Sequence, residues 1–76
     1  MRAVSAERMG VRTDGTEIVQ AMILSDTVPS PLPTNGANVT GMNANQVFAP
    51  FSLLYVVGEA DAKVYIANES GTFIPQ

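Results

Sequence analysis

Seventy-six residues suffice for one small domain, and ordering them costs on the order of 1–2 kcal/mol per residue, which offsets nearly everything a core of this size supplies. The chain holds no cysteine and no histidine, so disulfides are excluded and a zinc or copper site would need carboxylates alone; oligomerisation or docking on a larger body is the support left open. Four cations, Arg2, Arg8, Arg12 and Lys63, stand against seven carboxylates for a net charge of −3, leaving no basic stripe for phosphates and no expectation of a nucleic-acid partner.

The N-terminal section, residues 1–24, is interrupted at Thr13-Asp14-Gly15-Thr16. Asp-Gly tolerates positive φ at both turn positions, so the segment predicts a β-hairpin. Its first arm, residues 2–12, is loosely amphipathic and contains Gly10, which weakens a strand or marks a bulge. Residues 17–24 are apolar on both parities: Val19, Ala21 and Ile23 point one way, Ile18, Met22 and Leu24 the other with Gln20. As a strand this segment is expected to be buried on both faces. A helix is the competing reading, since Ala, Met, Leu and Gln are good helix formers, but a segment this short directly after an Asp-Gly turn favours the strand. No N-terminal run joins positive charge to an apolar segment, so no secretion signal is expected.

Residues 25–41 cannot be regular, because Pro29, Pro31 and Pro33 alternate with Ser30 and Leu32 and each removes a backbone donor. The result is an extended, polyproline-like arm, followed by turns at Thr34-Asn35-Gly36 and Asn38-Val39-Thr40-Gly41. Connections this long are functional or mobile, and the reading here is an ordered arm laid over a neighbour, with a flexible surface loop as the alternative. Residues 27–58 contain no Asp, Glu, Lys, Arg or His. Charged groups normally fill a monomer's exposed positions, so this neutral stretch predicts a surface that another chain covers.

Residues 42–49 predict one short helical turn, capped by Asn43 or Asn45 and stopped by Pro50, which drops Val47 and Phe48 into the core. Beyond Pro50 the pattern is β. Residues 52–57 read as a buried strand, 58–62 as a polar turn, 63–67 as a strand alternating Val64 and Ile66 against Tyr65, 68–71 as a turn and 72–74 as a closing strand. The expected fold is all-β: a small antiparallel sheet or half-open barrel of about five short strands, an N-terminal hairpin plus a C-terminal meander, in one domain over residues 1–76 with the Pro-rich arm at 25–41. The longest apolar run, residues 53–57, is far short of the roughly 20 residues of a membrane helix, so no membrane is expected.

Candidate chemistry is sparse. Nucleophilic catalysis without His or Cys needs a Ser–Lys pair or a carboxylate, and Lys63 reads instead as an exposed strand-edge lysine. Asp26, Glu59 and Asp61 sit at loop positions with no spacing that pairs them in a cleft, and Glu59-Ala60-Asp61 reads as a solvated turn. No calcium loop and no phosphate loop is present. Asn38-Val39-Thr40 and Asn68-Glu69-Ser70 match the glycosylation acceptor but read as turns. Phe48, Phe51, Tyr55, Tyr65 and Phe73 have no interleaved basic residues and read as core or interface aromatics. No catalytic, metal or cofactor-binding residue is expected, and no small-molecule substrate. The expected interface comprises Pro29, Pro31, Leu32, Pro33, Val39, Met42, Phe48, Phe51, Leu54 and Tyr55.

In the C-terminal half, Phe48-Ala49-Pro50-Phe51-Ser52-Leu53-Leu54-Tyr55-Val56-Val57 is followed by Lys63-Val64-Tyr65-Ile66-Ala67-Asn68-Glu69-Ser70-Gly71-Thr72-Phe73-Ile74. This apolar strand, Val-Tyr strand, acidic-polar Gly turn and final aromatic resemble the short β-meander of small virion proteins of tailed phages and prophages. The resemblance implies a non-enzymatic subunit present in many copies on a capsid or tail, such as a head decoration or minor capsid protein, found in the virion; otherwise the chain is expected in the cytoplasm. The expected function is a structural subunit that self-associates or docks on a larger protein shell. The alternative is a small monomeric adaptor or inhibitor that offers its Pro-rich loop to one cellular protein.

Overall fold

The computed structural model describes residues 1–58, 60 and 62–76. Its elements are all strands: β1 (Arg2–Val11), β2 (Glu17–Ser25), β3 (Gln46–Phe48), β4 (Leu53–Val56), β5 (Lys63–Ala67) and β6 (Phe73–Pro75). They form one open, mixed sheet in the order β1-β2-β4-β5-β6, with β3 paired to β2. The reading of Glu59-Ala60-Asp61 as a solvated turn lies outside the described residues at Glu59 and Asp61.

The Asp14-Gly15 turn joins β1 and β2 as an antiparallel hairpin, with Gly15 at φ 89°. The Arg12 amide donates to the Thr16 carbonyl at 2.7 Å, and the Asp14 carboxylate accepts the Thr16 amide at 2.9 Å, an Asx turn that closes the tip. Register shifts between Ala3 and Ser5 and between Arg8 and Gly10 mark bulges that twist the outer edge of β1. The segment over residues 17–24 is therefore a strand.

The C-terminal meander β4-β5-β6 is antiparallel throughout, as its alternation predicts. Its attachment to the hairpin is not: β4 runs parallel to β2, so the sheet is mixed. Residues 46–48, expected in a helical turn, are instead a strand that also runs parallel to β2. Long-range pairing decides this. Gln46-Val47-Phe48 gains a partner strand in Glu17-Ile18-Val19, which outweighs a local preference too short to nucleate a helix.

β3 and β4 lie end to end along one side of β2 and act as a single interrupted strand. Val19 pairs with Phe48 and Met22 with Leu53, so five steps along one chain face three along the other. Ser52 seals the gap. Its hydroxyl, fully buried, accepts the Ala21 amide at 3.1 Å, giving that amide a side-chain partner in the gap between β3 and β4, and donates to the Val19 carbonyl at 3.3 Å.

The core lies on one face of this sheet: Val19, Ala21 and Ile23 of β2, Leu54 and Val56 of β4, Tyr65 and Ala67 of β5, and the tilted pair Phe48–Phe73, whose ring centroids are 4.8 Å apart. The chain between β2 and β3 closes over it. Val39 is buried there, Leu32 and Met42 pack against the core, and Gly36 is buried so tightly that a Cβ would meet the Asn43 carbonyl oxygen at 2.6 Å. The Ser30–Pro31 peptide is cis. Thr40 fastens the arm to the start of β1, its carbonyl accepting the Ala3 amide at 2.8 Å and its amide donating to the Met1 carbonyl at 3.1 Å. The Pro-rich arm is thus the second layer of the chain's own fold. The accessible surface, 4649 Å², is close to the roughly 4,450 Å² of a compact protein of this mass, so the core is closed from within.

Candidate interface on the open face of the sheet

Successive residues of a strand point to opposite faces, so the core residues of β2, β4, β5 and β6 fix which side chains lie on the other side. Register aligns these in two rows. Met22, Leu53, Ile66 and Ile74 run across β2-β4-β5-β6, and Leu24, Tyr55 and Val64 run beside them. No described element lies over them. Leu24, Leu53, Val64 and Ile66 are half-buried by flanking one another, while Met22, Tyr55 and Ile74 are exposed. The strand over residues 17–24, expected to be buried on both faces, thus buries Val19, Ala21 and Ile23 and leaves the Met22 side open.

Phe51 is the most exposed large apolar residue, at 73%, and its backbone stands at φ 69°. A bulky side chain in the left-handed region costs about 1–2 kcal/mol. The interruption between β3 and β4 imposes that cost: the Phe51 amide donates to the Ala67 carbonyl at 2.9 Å, the Ser52 amide to the Ala49 carbonyl at 3.2 Å, and the buried Ser52 hydroxyl is held under β2. The ring is turned out of the core onto the open face. It forms one wall of a groove of about 400 Å³ whose other walls include Ser5, Glu7, Gln20, Met22 and Leu53.

The residues expected at an interface separate into three groups. Val39, Phe48 and Leu54 lie in the chain's own core, at 2%, 3% and 0% exposure. Pro29, Leu32 and Pro33 are half-buried and Pro31 is exposed; all four line a second groove of about 350 Å³ along the arm, while Met42 packs against the core. Only Phe51 and Tyr55 reach the open face. Met22, Leu24, Leu53, Val64, Ile66 and Ile74 complete that face and were not singled out as interface from sequence, although the apolar second parity of residues 17–24 was the signal for Met22 and Leu24 and the alternation of residues 63–67 for Val64 and Ile66.

Among the described residues, the charged side chains on this face are at its β1 rim, where Arg2 lies opposite Leu24 and Glu7 opposite Gln20. Glu7 is the carboxylate at the groove, on the exposed edge strand where water reaches it. Arg8 and Glu17 approach at 3.5 Å across the hairpin, an exposed pair worth about 0–1 kcal/mol. Asp14, at the hairpin tip, has its carboxyl held below the usual 3.8 chiefly by the Thr16 backbone amide. Lys63 is exposed at the first position of β5. Among the described residues no group of three potential metal ligands comes together, and no buried side-chain polar atom lacks a partner. Comparison with protein-family models, curated proteins and solved structures finds no match to this chain.

Proposed function

We propose that this chain is a non-enzymatic structural subunit that self-associates or docks on a larger protein assembly, as a capsid decoration or minor capsid protein of a phage or prophage does. The observation that carries the reading is the open face: two apolar rows, uncovered, beside an aromatic ring held outward by strained backbone. A contiguous exposed apolar patch of this kind on a small domain supports an association surface. The virion setting rests on the resemblance of residues 48–57 and 63–74 to virion meanders. The adaptor alternative draws less support, because the arm is fastened at Thr40 and turns Leu32 toward the core, so a partner groove would meet chiefly Pro31.

Two measurements test the reading. Light scattering on purified protein at tens of micromolar should give a mass above that of the monomer, or co-sedimentation with a larger particle. Mass spectrometry of particles induced from a strain carrying the sequence should find the chain at a stoichiometry comparable with the shell protein. A monodisperse monomer that is absent from such particles overturns the proposal.

A further inference from the structure

We infer that the open face is closed by a second copy of this chain, packed sheet on sheet about a two-fold axis, with Phe51 of each copy entering the groove of the other. The inference rests on the association reading above and names its partner.

Three features of the face select a copy of itself. The first is self-complementarity. A two-fold contact brings the same patch of both subunits together, so it needs a projection and a recess on one face, offset from each other. Phe51 is the projection, and the groove bounded by Ser5, Glu7, Gln20, Met22 and Leu53 is the recess beside it. The second is area. Met22 at 39%, Phe51 at 73%, Tyr55 at 37% and Ile74 at 41% exposure, with the half-buried Leu24, Leu53, Val64 and Ile66, present about 500 Å² of apolar surface per copy, so two copies reach the roughly 1,000 Å² at which specific association begins, before any rim is added. The third is charge. The apolar rows themselves carry no ionic group; among the described residues the two charges on this face, Arg2 opposite Leu24 and Glu7 opposite Gln20, both lie on the exposed edge strand β1 at its rim, so superposing two faces buries no unpaired charge at the centre.

The open face is also geometrically suited to this contact. Two sheets pack face to face about 10 Å apart when both inner faces are apolar and alternate with polar or core-directed residues. Here the rows from Met22 to Ile74 and from Leu24 to Val64 supply such a face, and the chain's own arm already occupies the other side. The edge of β1 is a poorer candidate: its two bulges and its Thr40 cover interrupt the ladder a second strand would need.

Sedimentation velocity from micromolar to hundred-micromolar concentration tests this on the full chain. Wild type should show a reversible monomer–dimer equilibrium. Phe51→Asn, which keeps a residue tolerant of the left-handed conformation, should weaken it at least about tenfold, with circular dichroism unchanged. Ile74→Lys, at an exposed position on the same face, serves as the second variant and should weaken it likewise. Pro31→Ala, on the other side of the sheet, should leave the equilibrium as it is. Oligomers that persist unchanged in both Phe51→Asn and Ile74→Lys overturn this inference while leaving self-association through another surface intact. A wild-type chain that stays monomeric throughout overturns the inference also, and docking on a different protein then remains the form of the proposed function.

Discussion

Ser52→Ala removes one oxygen from the centre of the fold and tests how the sheet bridges its own interruption. The hydroxyl makes two contacts, and they are not equivalent. The Val19 carbonyl also accepts the Ala49 amide at 2.8 Å, so it keeps a partner when the hydroxyl goes. The Ala21 amide donates to the Ser52 hydroxyl at 3.1 Å, and with that oxygen gone it faces the gap between β3 and β4 unpaired. A buried N–H left without a partner costs about 1–3 kcal/mol, so a loss of about 2 kcal/mol is expected. A chain of this length has a total stability of about 4–11 kcal/mol, so the substitution should lower its melting temperature by about 8–16 °C. Urea unfolding should show a lower midpoint at unchanged slope, measured at two protein concentrations so that association does not enter the difference. Native-state hydrogen exchange should show the Ala21 amide exchanging faster than its neighbours on β2 in the variant. A loss below about 0.5 kcal/mol with Ala21 still protected would refute the role given to Ser52.

Three further predictions follow from the backbone and the exposed face. Gly71 stands at φ 78° with the Phe48 carbonyl oxygen 2.8 Å from where a Cβ would sit, so Gly71→Ala should destabilise by more than about 1 kcal/mol, whereas Gly10→Ala, with open space around it, should be neutral or stabilising by up to about 1 kcal/mol in the same unfolding assay. The Asp14 carboxyl should titrate below 3.8 when followed by NMR, since it accepts the Thr16 amide. Its stabilising contribution is then present above the unfolded value and disappears as pH falls through the folded one, so Asp14→Ala and wild type should converge in stability at strongly acidic pH; a midpoint at or above the usual value refutes the Asx contact. Phe51→Asn should leave the dilute monomer as stable as wild type or more stable by up to about 1 kcal/mol, because it relieves the left-handed strain of an exposed ring; a large loss would mean that the ring supports the fold itself.

The parts of the fold that were legible are those written in neighbouring residues. Asp14-Gly15 announces its hairpin, with Gly15 taking the positive φ, and the alternation of Lys63-Val64-Tyr65-Ile66-Ala67 announces a strand with one buried parity. The insertion of β4 beside β2 was not legible, because parallel pairing depends on two segments separated by the whole arm and neither carries a local mark of it. The same cause hid β3: Gln46-Val47-Phe48 is too short to show a period and becomes a strand only against Glu17-Ile18-Val19. The lack of charge in residues 27–58 has two physical origins that one sequence does not separate. Val39, Phe48, Ser52, Leu54 and Val56 are neutral because they are buried in the chain's own core, whereas Phe51 and Tyr55 are apolar on the open face. Met22 and Ile74 lie outside the neutral stretch, on either side of it in sequence, and join that face only through the register of the sheet.

The most direct test of the central claim, that the uncovered side of the sheet is where one copy meets another, is an isotope-filtered nuclear Overhauser measurement on an equal mixture of labelled and unlabelled chain. Intermolecular contacts are predicted from the Phe51 ring to the methyl groups of Met22 and Leu53, with further contacts at Tyr55 and Ile74. Intermolecular contacts confined to the Pro-rich arm or to the edge of β1, or none at concentrations reaching hundreds of micromolar, would contradict it.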